Sequence, residues 1–155
     1  RNVQRHADAL GAFWIGMQVL VGELDEAERL HANVLALWRR FGYVPEGFTA
    51  PRATADASHM SIRFANYPLR PEFVESTYLL YMATRDEHYV RVGRELLRSI
   101  QRARVRCGYA AIADVRTHRL EDRLDSFFLS ETLKYFYLLF DAAHRHATAA
   151  AAAAA

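Results

Sequence analysis

The segment SFFLSETLKYFYLLF, residues 126–140, is apolar on nearly every side of a helix and carries one carboxylate, Glu131, at its middle. A helix without a clean polar face has to be covered on several sides. The chain therefore needs other helices around this one, which the spacing predicts over about 121–141. Glu131 is flanked there by Phe127, Phe128, Leu129 and Leu133. An unpaired carboxylate in such surroundings is costly or becomes protonated. It reads either as a structural ion pair with Lys134 or an arginine, or as part of a site.

The rest of the chain supplies the covering helices. Leu10, Phe13, Trp14, Met17 and Val21 fall on one face of a helix that Gly22 ends. Asp25 reads as the next N-cap, with Glu28 completing a capping-box spacing. Leu30, Val34, Leu37, Trp38 and Phe41 follow on one face before Gly42 stops the second helix. Pro71 stands at the first helical position of a third, whose apolar face is Val74, Tyr78, Tyr81 and Met82. Asp86 opens a fourth, with Tyr89, Gly93, Leu96 and Ile100 facing inward. The fold class is all-α, built from αα-hairpins in a toroid or solenoid, with no fixed repeat period.

Two stretches lack this pattern. Tyr43 to Leu69 carries three prolines and no periodicity, and a connection of that length is usually functional or disordered. Near residues 107–115 a short β element is expected, centred on Tyr109 to Val115.

At 155 residues, 52% apolar and 25% charged, the chain makes one globular domain. Twenty basic against 18 acidic residues give a net charge of +2. Basic clusters occur in RRF and QRARVR without a continuous stripe, so no nucleic-acid partner is expected. No apolar run is long enough to cross a bilayer, and no signal peptide is visible. The chain opens at Arg1 without Met, so a missing N-terminus is expected. Seven alanines, residues 149–155, read as placeholders for unassigned residues and carry no functional argument. The single Cys107 has no partner for an internal disulfide.

Glu72 and Glu75 share one face of the third helix. They either offset its dipole, at about 0.3–1 kcal/mol each, or form a site; spacing alone favours the first. Arg70, just before Pro71, either makes a salt bridge or orients a hydroxyl or carboxylate. Phe127 and Glu131, at i and i+4, pair an aromatic with a carboxylate, which suits a sugar ring, although most such pairs are core. The seven histidines have no metal spacing, the glycines form no phosphate loop, and no serine or cysteine nucleophile motif occurs.

Three blocks in order, YPLRPEFVESTYLLYMAT, VRCGYAAIADVRT and LEDRLDSFFLSETLKYFYLLFD, resemble the glycoside hydrolase family 47 α-mannosidases, in particular the ER degradation-enhancing α-mannosidase-like (EDEM) branch. LGAFWIGMQVLVGELDEA is similar too, with Ile15 replacing a proline. The resemblance covers about Leu10 to Asp141. It implies an (α/α)7 barrel of which residues 1–148 are a C-terminal portion, the N-terminal half being absent. Glu72 matches the general base, Arg70 the arginine lining the sugar site, and Phe127 the aromatic under the mannose. Glu75 and Glu131, with Glu72, match carboxylates that hold water around a calcium ion, and Glu131 also contacts the mannose. On this reading the two glutamates of the third helix are a water-activation face.

The resemblance also implies a function: α1,2-mannosidase trimming of high-mannose N-glycans on misfolded glycoproteins in the endoplasmic reticulum lumen, by calcium-dependent inverting hydrolysis. Cys107 is expected to pair with a cysteine of the absent half or with a protein disulfide isomerase-like oxidoreductase, against the alternative of a free buried thiol. The general acid lies outside this chain and no Thr-Thr-Glu calcium segment is readable, so the 155 residues alone are expected to be inactive. A glycan-binding quality-control lectin on the same fold is the alternative. A helical scaffold ranks last because it leaves Glu131 and the 43–69 connection without a purpose.

Overall fold

A computed structural model describes residues 5–50 and 61–154. Five helices dominate them: α1 Phe13–Val21, α2 Leu24–Phe41, α3 Glu72–Thr84, α4 Glu87–Gln101 and α5 Leu133–Ala153. A 3-10 turn, Leu10–Ala12, leads into α1, and a π-turn, Phe128–Thr132, leads into α5. In one layer α3 packs between α1 and α5. In the other, α2 covers α1 and α3 while α4 covers α3 and α5. This is the succession of αα-hairpins that the periodicity predicts, arranged in two layers.

The helix stops are where the glycines put them. Gly22 and Gly42 cap α1 and α2 in the left-handed conformation, φ 88° and 79°, which costs glycine nothing. The expected N-cap of α2 is displaced. Glu23 occupies that position, Asp25 lies in the first turn, and Glu28 instead accepts from the Tyr89 hydroxyl at 3.3 Å. Asp86 does cap α4, accepting from the His88 N–H at 2.7 Å. Tyr89, Gly93, Leu96 and Ile100 are buried beneath it, as expected. Arg91, Arg94 and Arg98 lie exposed along α4 and Arg102 at its C-terminal cap, a row visible only once the helix is formed; Glu95 beside it pairs with Arg39.

The apolar face assigned to α1 is not core in this chain. Phe13, Trp14, Met17 and Val21 are exposed, while Ala12, Ile15 and Gly16 turn inward. Their inward turn follows from a close approach to α3. A Cβ on Gly16 would lie 2.8 Å from Leu79, and the Ser76 hydroxyl bridges the two helices, accepting from the Gly16 N–H and donating to the Ala12 carbonyl.

The 43–69 connection also departs from expectation. Residues 51–60 lie outside the described residues, but the segments on either side are strands. β1 Arg5–Asp8, β2 Gly47–Ala50 and β3 Ser61–Phe64 form an antiparallel sheet in the order β1-β2-β3. Period-two patterning over four residues is too short to stand out beside helical periods. The β element near residues 107–115 is two hairpins, β4 Arg104–Val105 with β5 Gly108–Tyr109, and β6 Ala111–Asp114 with β7 Arg119–Glu121. β7 occupies the start foreseen for the last helix, which begins later. That helix is also less enclosed than its composition suggests, with Leu129 and Tyr137 exposed.

Under the start of α3 sits an aromatic cluster. Trp38 meets Tyr43, Tyr67 and Phe73 at 5.8, 5.6 and 6.0 Å between ring centroids. The Trp38 indole N–H donates to the Ser99 hydroxyl and the Tyr43 hydroxyl to the Ser99 carbonyl, so both polar handles are satisfied inside the core. Tyr67 also exchanges backbone hydrogen bonds with Ile112 of β6 at 2.8 and 2.9 Å. The chain entering α3 is thereby anchored from below and from the side.

Candidate active site

The first residue of α3 is Glu72, one position after Pro71, which takes the N-cap place instead of the first helical one. Proline gives up no useful donor at a helix entry, and the Glu75 N–H donates to its carbonyl at 2.9 Å. Just before it, the Tyr67 hydroxyl donates to the Arg70 carbonyl at 2.9 Å. Arg70 and Glu72 therefore project from a backbone held at several points.

The Arg70 guanidinium forks onto Glu46, its Nε donating to the two carboxylate oxygens at 2.9 and 2.8 Å and its Nη2 completing a bidentate grip. Its Cζ stands 5.6 Å from the centroid of the Phe127 ring, within cation–π range. Glu72 is nearby without being engaged, with Oε1 3.9 Å from Arg70 Nη1. Its other oxygen, Oε2, is buried and has no hydrogen-bond partner among the described residues.

Burial raises the Glu72 pKa above the ordinary carboxylate value. Its own backbone N–H and the Arg70 charge pull the other way, while the charges of Glu46 and Glu131 add to the rise. A carboxyl poised this way takes up and releases a proton closer to neutrality than an exposed glutamate does.

Glu131 lies in the π-turn that leads into α5, half-buried and without a hydrogen-bond or ion-pair partner among the described residues. The expected pair with Lys134 is not made, because that ammonium sits 4.4 Å over the Tyr135 ring. Nor is the carboxylate sealed among apolar side chains, since neighbouring Leu129 is 62% exposed. π-turns inside helices often mark functional positions, and this one carries Glu131 beside Phe127.

Glu75 is placed differently. One turn along α3, its Oε1 accepts from the Tyr135 hydroxyl at 2.5 Å. Burial, then the hydrogen bond to Glu75, raise the Tyr135 phenol pKa, so that it stays a donor.

The structure thus brings Arg70, Glu72, Phe127 and Glu131 together, with Glu75 reaching α5 through a phenol. Sequence reasoning missed Glu46, Tyr135 and Asp125, whose charge also acts on Arg70. The only signal for Glu46 was its place between Pro45 and Gly47 in the non-helical stretch. Cys107 is exposed at the β4–β5 turn in this chain, where the free-thiol alternative expected it buried.

Carboxylates outnumber the one guanidinium, and the unsatisfied Glu72 oxygen can accept a hydrogen bond from water. Such a set can orient water, take its proton and bind hydroxyls. Among the described residues no three His, Cys, Asp or Glu side chains converge to ligate a metal directly.

Comparison with known proteins gives concordant results. The sequence profile described as Glycosyl hydrolase family 47 matches residues 1–150. The chain is 47% identical over 137 residues to alpha-mannosidase I MNS4 of Arabidopsis thaliana, covering 88% of this chain and 21% of that protein. It is 42% identical over 134 residues to the human ER degradation-enhancing alpha-mannosidase-like protein 2, covering 86% and 22%. The chain therefore spans about a fifth of the length of these curated relatives. Among solved structures, an alpha-1,2-mannosidase from Trichoderma reesei superposes with a TM-score of 0.73 at 26% identity, over 87% of this chain and 33% of that one.

Proposed function

The chain belongs to glycosyl hydrolase family 47 and its helices form part of an (α/α)7 barrel; from that premise we propose that the whole protein is an α1,2-mannosidase trimming high-mannose N-glycans on misfolded glycoproteins. The observation that supports this reading is the buried Glu72 oxygen that has no hydrogen-bond partner among the described residues. It lies beside a guanidinium already committed to Glu46.

In this reading Glu72 is the general base of an inverting hydrolysis. Its free oxygen accepts a hydrogen bond from water and draws off a proton as that water attacks the anomeric carbon. Inversion needs the opposing acid far enough away to admit the water, and that acid belongs to the part of the protein outside this chain. The 155 residues alone are accordingly inactive. Phe127 packs on the C–H face of the sugar, and Glu131 accepts from its hydroxyls. Arg70, held by Glu46, keeps one edge toward the ring and its charge beside Glu72.

The donor set suits a hydrated calcium ion. It is rich in carboxylate oxygen, carries surplus negative charge and leaves one buried oxygen unsatisfied. Glu75 and Glu131, with Glu72, would hold the ion through water. Calcium, when bound, binds hydroxyls and fixes waters.

The proposed setting is the endoplasmic reticulum lumen; the names of several relatives print ER, which supports that setting. Exposed Cys107 is the proposed point of contact for a disulfide isomerase-like oxidoreductase. The test is incubation of the full-length polypeptide with a high-mannose N-glycan while the released sugar is followed by NMR. Mannose appearing first as the β anomer supports the reading. α-Mannose overturns inversion, and glycan binding without release moves the protein to the lectin class.

A further inference from the structure

Four threonines of the described residues lie in helical turns, and one of them behaves differently. The hydroxyls of Thr77, Thr84 and Thr148 fold back onto carbonyls of their own helix, those of Phe73, Leu80 and His144, at 2.7, 2.8 and 3.0 Å. That is the ordinary local option for a helical threonine. Thr132, buried at the end of the π-turn, reaches across instead and donates to the Leu69 carbonyl at 2.7 Å.

The recipient is also unusual. Leu69 has φ 64°, in the left-handed region that leucine rarely adopts. The two other non-glycine residues with positive φ among the described residues have local reasons, since Arg85 ends α3 and His118 lies in the β6–β7 turn. Leu69 ends no helix. It precedes Arg70-Pro71-Glu72, its side chain is completely buried, and the Tyr67 hydroxyl holds the next carbonyl. Backbone strain of this kind persists only where the surroundings over-determine it.

We infer that Thr132 is a positioning residue, whose hydroxyl latches the strained Leu69 carbonyl and so fixes Glu72 and Arg70 relative to Glu131 in the adjoining turn. The inference rests on the mannosidase reading for its kinetic consequence but not for its geometry. Thr132 directly follows Glu131, and Leu69 directly precedes Arg70. One hydrogen bond therefore joins the two segments that carry the site. The π-turn ends at Thr132, whose hydroxyl faces the α3 entry. A misplacement of about 1 Å at a reacting group lowers turnover by about a hundredfold, which sets the scale of what the latch protects.

The test uses Thr132→Val and Thr132→Ser in the full-length protein, read by kinetics and by crystal structures. Thr132→Val keeps the shape and loses the donor; kcat is expected to fall about 10- to 100-fold with KM changed less than about twofold. In its structure Leu69 leaves the left-handed region and Glu72 moves. Thr132→Ser restores kcat. Unchanged kcat in Thr132→Val, equal losses in kcat and KM, or a structure with Leu69 and Glu72 unmoved overturns the latch. If the wild-type protein releases no mannose, the functional reading fails on its own, and the Thr132→Val structure still decides the latch.

Discussion

Glu72 lies 3.9 Å from the Arg70 guanidinium without hydrogen bonding to it, because the fork of Arg70 is taken by Glu46. The carboxylate feels the positive charge but not its donors, and burial outweighs the attraction. A general base must be ionised to act. The acid limb of kcat/KM is therefore expected at a pH above that of an ordinary glutamate. A profile flat down to the ordinary carboxylate range would contradict this assignment.

Glu46 decides where Arg70 points. In Glu46→Gln the guanidinium loses its charged partner and is free to close on Glu72, whose pKa then falls. The acid limb should move to lower pH while kcat drops at least about tenfold, as a stronger acid makes a weaker base. The pH–rate profile of this variant, measured beside the wild type, shows whether both changes occur together.

The same burial has a cost in stability. A folded-state pKa raised above the unfolded one means that the folded form binds the proton more tightly. The stabilising contribution is complete below the unfolded value and is lost as pH rises through the folded one. At neutral pH the ionised Glu72 therefore weakens the fold. Glu72→Gln should raise Tm near pH 7, and the gain should shrink toward acid pH. A lower Tm at neutral pH would mean that Arg70 stabilises the carboxylate more than burial penalises it.

His31 acts in the opposite direction. It is buried in the core, its Nε2 3.0 Å from the Thr77 hydroxyl and its ring 4.8 Å from that of Phe73. Thr77 already donates to the Phe73 carbonyl, so the imidazole is the donor to Thr77. Burial, with the charges of His88 and Arg39, lowers its pKa to about 3. Stability is complete above the unfolded value of 6.5 and falls as pH drops below it. Each pH unit below 6.5 removes up to about 1.4 kcal/mol. Thermal unfolding of the full-length protein between pH 7.5 and 5 should show this loss, and His31→Phe should reduce it.

If calcium sits among these carboxylates through water, a chelator should abolish mannose release and lower Tm, and added calcium should restore both. Magnesium should restore less, because it holds its own hydration shell in a tighter geometry. Full release in excess chelator would remove the ion from the account.

Much of the fold was legible because helical periodicity is a local signal. The Gly22 and Gly42 stops, the Asp86 cap and the inward face of α4 all follow from residues within one or two turns. α1 misled, since Phe13, Trp14 and Met17 read as core from their spacing but are exposed in this chain. The strands flanking residues 51–60 were missed because each has only four residues and pairs with distant partners. At the candidate site, Arg70, Glu72, Phe127 and Glu131 were singled out through resemblance. The Glu46–Arg70 pair spans 24 residues and Tyr135–Glu75 spans 60, and no local pattern encodes either. Leu69 gave no sign of its left-handed backbone, since leucine is a residue that ordinarily avoids it.

The most direct test of the account is a comparison of wild type and Glu72→Gln in the full-length protein, measuring mannose release and glycan binding on the same high-mannose N-glycan. In Glu72→Gln release is expected to fall by at least about a hundredfold, the lower end for losing a general base, while glycan affinity stays within about threefold. Release at the wild-type rate, or a parallel loss of binding and release, would contradict it and leave Glu72 without the role on which the mechanism depends.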